Sequence, residues 1–238
     1  MQSKPNICWC LWEREGSLMT GNTHFSLGVA AGAIVVGATG AGESVGATVA
    51  TVAIASFGSL LPDIDEDGSM LNNLLFRSIK YRSAALSILG AIAILLTVLK
   101  GLDLWVLLSG IYAMAVAFIP HRSFTHSLLS LLIVSGITLM ANPDYVWAMA
   151  AGYVSHLLAD AMTAGGIPLL WPWKKRLGVK KLGLYIRSGD KVDKMTGKVA
   201  MYAGSIVLIW LVFQDASFAS APGYTKDPLE AVRGYFPF

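Results

Sequence analysis

The sequence predicts an all-α fold, a polytopic transmembrane helical bundle of six or seven spans. Three observations predict it. The chain is 55% hydrophobic and only 14% charged over 238 residues, where soluble domains sit near a quarter charged. Seven apolar runs recur, at about 25–42, 46–62, 84–100, 103–120, 127–141, 145–164 and 199–213, and a helical span needs roughly 17–25 such residues. Basic residues then divide unequally between the two sides that alternating crossings define.

In chain order, the first two runs are rich in Gly and Ala and are separated by Glu43. Small residues let helices approach closely in lipid, so these runs read as a tight hairpin. The third and fourth are long and apolar. The fifth and seventh are short enough to dip into the membrane without crossing it, hence six or seven spans. The sixth carries a histidine and an aspartate near its end, His156 and Asp160.

Around this core, residues 1–18 read as a disordered extension or a misassigned start, with Met19 opening a natural beginning. Residues 19–214 form the membrane-embedded domain and 215–238 a flexible tail. Cys8 and Cys10 lie one residue apart and imply no disulfide framework. A net charge of +3 gives no reason to expect a nucleic-acid partner.

With seven crossings, one side receives the N-terminus and the loops at 63–83, 121–126 and 165–198. All 18 basic residues except Lys100, Lys226 and Arg233 fall there. The positive-inside rule makes that side cytoplasmic. Two of its stretches look interfacial. Leu71, Leu74, Leu75 and Ile79 recur at helical spacing among Arg77, Lys80 and Arg82. Trp171 and Trp173 precede Lys174, Lys175 and Arg176. Such residues anchor to anionic lipid, and they would also attract an anionic substrate.

The chemistry lies on the same side. His24 opens the first span, Asp63 and Asp65 close the second, and His121 and His126 occupy the loop before the fifth. His156 and Asp160 lie near the end of the sixth. Singly, each has an ordinary explanation, since histidines near helix ends are commonly hydrogen-bonded and aspartates commonly make turns. Unrelated polar residues would scatter over both faces. These seven share one.

His156 and Asp160, four apart, project from one helix face, and Asp63 and Asp65 follow Pro62 in a turn that can aim both inward. Imidazole and carboxylate without thiolate suit a divalent metal ion, zinc first, with manganese, magnesium or iron as alternatives. His24, Asp63, His126 and His156 are the first choice of ligands. Asp65, His121 and Asp160 are ligands or their orienting partners, and the surplus leaves room for two ions. Such a site lowers the pKa of bound water and polarises the bond to be cut. Asp65 or Asp160 would take the water's proton, and Arg122 would clamp an anionic group with its planar fork.

Asn22-Thr23-His24, Leu61-Pro62-Asp63-Ile64-Asp65, His121-Arg122-Ser123-Phe124-Thr125-His126-Ser127 and His156-Leu157-Leu158-Ala159-Asp160 occur in this order. Together they resemble the YdjM-like family of membrane-bound, metal-dependent hydrolases, from about Met19 to Phe213. The resemblance implies a bacterial inner-membrane protein with a divalent metal and hydrolase chemistry. It also implies a glutamate after a small Gly/Ser turn late in the chain, and this sequence departs from that pattern. Here Arg187-Ser188-Gly189 is followed by Asp190 and Asp193, and Asp193 is the shorter acid that would take that place.

The expected function is therefore a metal-dependent hydrolase with its N-terminus and site cytoplasmic. Its partners would be membrane lipids and an amphiphilic, lipid-linked anionic substrate, first among them a phosphoester. The alternatives are a membrane protein that keeps metal for stability alone and an ion- or proton-coupled transporter. A transporter would need polar groups continuing to the far face, and the outer halves of the spans hold almost none.

Overall fold

The computed structural model describes residues 19–40, 44–66, 69–71, 82–119, 123–173, 175–179 and 186–219. Among them are seven α-helices and no regular strand: α1 (Gly21–Thr39), α2 (Val45–Leu60), α3 (Arg82–Lys100), α4 (Leu104–Phe118), α5 (Leu128–Ala141), α6 (Val146–Ala161) and α7 (Lys191–Ala219). Each apolar run corresponds to one helix. The seventh departs most from its run, because its helix begins at Lys191 through polar residues that hydropathy cannot register.

Local chemistry sets the boundaries. Gly40 ends α1 in the left-handed region at φ 66°, which glycine adopts without steric cost. Ser44 starts α2 by accepting the Ala47 amide at 3.1 Å, and Ser127 starts α5 by accepting that of Ser130 at 3.2 Å, both as N-caps. Pro62 has no N–H to continue α2, and the chain tightens into a 3-10 turn, Leu61–Asp65. That turn buries both Asp63 and Asp65.

α1 packs on α2, α6 and α7, α2 packs on α6, α3 pairs with α4, and α5 lies along α6. Burial is partial, as a lipid-facing bundle requires. α3 presents Ile88, Ile92, Leu95 and Leu99 outward, and α7 presents Val199, Tyr202, Ile206 and Trp210. Apolar faces of this extent are at home in hydrocarbon rather than water. Among the described residues, three stretches are long and apolar enough to cross a membrane, Val45–Asp65, Ser83–Lys100 and Lys191–Phe213, and α4 and α5 are shorter apolar helices.

The interior contacts are close because small residues make them. A Cβ at Gly152 would overlap the carbonyl oxygen of Ala55, and one at Gly90 would lie 2.7 Å from that of Gly110. Backbone cannot yield as a side chain can. Gly152→Leu is therefore expected to separate α6 from α2 at a cost of at least about 3 kcal/mol, the upper end for overpacking. The check is recovery of monodisperse protein in mild detergent, with Gly136→Leu as control because a Cβ there meets nothing within 4 Å.

The alternation of helices brings the start of α1, the end of α2, the start of α5, the end of α6 and the start of α7 to one end. After α6 the chain folds back beneath this end. Ile167 and Leu177 exchange both backbone hydrogen bonds at 2.9 and 2.8 Å, and Leu128 at the start of α5 donates to Leu169 at 2.9 Å.

Candidate metal centre

Four side chains from three places in the chain converge at this end: Asp63 after α2, His126 before α5, and His156 and Asp160 in the last turns of α6. One ligand atom from each lies within 4.8 Å of all the others. His126 Nε2 is 3.4 Å from Asp63 Oδ1 and 3.3 Å from Asp160 Oδ2, and His156 Nε2 is 3.6 and 3.1 Å from the same two atoms. The two Nε2 atoms are 3.3 Å apart. Four ligands around one ion with bonds of about 2.0–2.1 Å stand about 3.3–3.4 Å apart at the corners of a tetrahedron. These five separations bracket that edge.

Hydrogen bonding on the far side of each imidazole fixes what faces the centre. His156 Nδ1 lies 2.7 Å from the Ser59 carbonyl, to which it can only donate. His126 Nδ1 lies 3.1 Å from Thr125 Oγ1, whose own proton goes to Asp65 Oδ2 at 3.2 Å, so Nδ1 donates here too. Both tautomers are assigned from these partners. They leave two Nε2 lone pairs facing each other and two carboxylate oxygens. Asp63 Oδ1 and Asp160 Oδ2 are buried and have no hydrogen-bond partner among the protein groups. Buried polar atoms are rarely left so, and a cation among these four satisfies them all.

Burial opposes charge on His126, but the Asp160 and Asp63 carboxylates outweigh it and raise its pKa to about 10. The pocket is thus built for positive charge.

His24 stands beside the four. Its ring stacks on His156 with centroids 3.8 Å apart, and its Nε2 is 3.2 Å from Asp160 Oδ1, outside hydrogen-bond geometry. Both of its ring nitrogens are buried without a hydrogen-bond partner. Asp160 Oδ1 also accepts the Met19 amide at 3.3 Å. The cluster differs from the first-choice quartet by one member, with Asp160 inside the group and His24 against its outer oxygen. An (i, i+4) pair shares a face, but spacing cannot say which atom reaches the centre. Asp65 sits one step out, holding Thr125 and through it His126. His121 and Arg122 lie outside the described residues, as does Lys174.

Asp193 was not assigned a contact by sequence, and the structure gives it one. Fully buried in the first turn of α7, its carboxylate accepts from the amides of Thr20 at 3.1 Å and Gly189 at 2.7 Å, and from Thr23 Oγ1 at 2.6 Å. It ties α7 to the start of α1, one residue before His24. The conspicuous local signal was only an acid after a small turn. Two of its three partners, Thr20 and Thr23, lie about 170 residues away in sequence.

The fold and this centre define a class, an all-helical membrane protein with a buried His/Asp cluster able to hold a metal ion. The chain belongs to the family described as YdjM inner membrane protein, which matches residues 19–218. It is 41% identical over 83 residues to the inner membrane protein YdjM of Escherichia coli strain K12, covering 31% of this chain and 40% of that protein. It is also 40% identical over 77 residues to the uncharacterized protein YvsG of Bacillus subtilis strain 168, covering 32% of this chain and 46% of that one. The matched stretch thus spans less than half of either relative. No solved structure matches.

Proposed function

We propose that this protein is a metal-dependent hydrolase that cuts a phosphoester or related anionic bond in a lipid-linked substrate at the cytoplasmic membrane face. The observation that carries the reading is the four-atom cluster, with its His–Asp and His–His separations near a tetrahedral edge and two carboxylate oxygens without a hydrogen-bond partner. Its donor chemistry points to catalysis: structural zinc sites are dominated by cysteine, whereas His with carboxylate recurs where zinc is catalytic. When bound, a divalent ion would supply Lewis acidity and activated water. The chain's own groups hold it, with His126 and His156 presenting Nε2 and Thr125 and Ser59 fixing their tautomers.

The charge distribution supports cytoplasmic placement. Exposed Lys175, Arg176, Arg187, Lys191 and Lys194 lie between the end of α6 and the first turn of α7, toward the cluster's end. They would hold that face at an anionic leaflet.

A second reading, a non-catalytic metal-stabilised bundle, has its own observation. All four side chains are nearly or fully buried, and four protein ligands complete a tetrahedral zinc shell. Asp65→Asn separates the two readings, because Asp65 orients His126 through Thr125 without belonging to the four. With a phosphoester and lipid panel supplying the substrate, the variant should keep its metal at saturating supply and lose turnover by about 10–100-fold. Full metal with no turnover by the wild type on any panel member, together with a large fall in stability on chelation, would favour the structural reading.

A further inference from the structure

A cavity of about 400 Å³ lies among α2, α3, α4, α5 and α6. One end is walled by Leu61 and Ile64, which bracket Pro62 and Asp63 in the turn of the metal centre, and the other by Trp105, Asn142 and Tyr145. From Val116 to Trp105, α4 alone gives it a length of about 16 Å at 1.5 Å per residue. One leaflet of the hydrocarbon core is about 15 Å deep, half of the roughly 30 Å total. The lining is apolar along this length, with the Ser109, Tyr112 and Thr138 hydroxyls among few exceptions.

Tyr112 in this wall is connected to the centre. Tyr153 donates its proton to the Thr125 carbonyl, so it accepts from Ser130 at 2.7 Å, and Ser130 accepts from Tyr112 at 2.8 Å. The chain of hydroxyls ends on the residue before His126. A second apolar cavity, of about 610 Å³ among α1, α2 and Leu208–Phe213 of α7, is larger. Among the described residues, none of its lining side chains joins the hydrogen bonds of the centre.

From this geometry we infer that the smaller cavity houses one hydrocarbon chain of a lipid whose anionic headgroup sits at the Asp63 turn. Length, apolar lining and continuity with the turn select a single chain. The headgroup's charge rests on the metal reading above, since two carboxylates without a cation would repel it.

The test uses full-length protein in mild detergent and two photoreactive lipids with the same diazirine-bearing acyl chain, a phosphatidic acid and a diacylglycerol. Labelling should map to α4 and α5, favour the phosphate several-fold, and fall about tenfold in Ala113→Phe, which fills the cavity. Leu99→Phe, on the exposed face of α3, should leave it unchanged. If Ala113→Phe does not fold, Ser109→Leu carries the same expectation. Labelling that survives the filling variant, maps to Leu208–Phe213, or ignores the headgroup in metal-loaded protein overturns the inference. Metal content measured on the same samples keeps the two claims apart. Cavity labelling that Ala113→Phe abolishes, in protein that takes up no metal, supports the chain site and sinks the hydrolase reading. Bound metal with no cavity labelling does the reverse.

Discussion

Asp63→Ala is expected to abolish stoichiometric metal binding, weakening affinity beyond the roughly 10–100-fold that loss of an outer partner costs. Asp63 Oδ1 stands 3.4 and 3.6 Å from the two imidazole nitrogens and is one of the two carboxylate oxygens at the centre without another partner. Removing it leaves Asp160 as the only carboxylate in the group of four. Asp63→Asn keeps the shape and removes the charge, so it should lose metal as well. Competition against a chelating dye measures the affinity, and circular dichroism on the same sample confirms that the helices remain. Wild-type affinity in both variants would place the ion elsewhere.

Asp193→Ala should give the largest loss of stability among the site's neighbours. Two part-buried amides and one buried hydroxyl donate to that buried carboxylate. A buried donor left without an acceptor costs about 1–3 kcal/mol. The two amides are part-buried and Thr23 Oγ1 keeps the residue-193 carbonyl at 3.2 Å, so the variant should lose about 1–3 kcal/mol in all. Asp193→Asn retains an acceptor oxygen and should lose less. Because the clamp ends one residue before His24, metal should also bind more weakly in both variants. Thermal unfolding in detergent, with and without chelator, reads the two effects separately. If Asp193→Ala melted with the wild type, the clamp would hold nothing.

Much of the fold was legible because lipid forces it: a segment in hydrocarbon must satisfy its backbone internally, so apolar runs become helices. The start of α7 was not legible by that logic. Lys191, Asp193 and Lys194 are helical but polar. The convergence of Asp63, His126, His156 and Asp160 on one end followed from counting crossings, which needs no knowledge of packing. Which members touch did not follow. His24 and Asp160 exchange places because a stacked ring on His156 and the two-sided use of one carboxylate are properties of packed side chains. The Thr125 bridge between Asp65 and His126 was hidden for the same reason, since it joins residues 60 apart in sequence. Asp193 stood out only as an acid after a turn, and its role depended on α1 lying beside α7.

Elemental analysis of the full chain purified in mild detergent tests the central claim most directly. The arrangement predicts about one divalent ion per chain, removed by a strong chelator and absent from a folded His156→Ala variant. No ion at any supply, or the same content in wild type and His156→Ala, would contradict it.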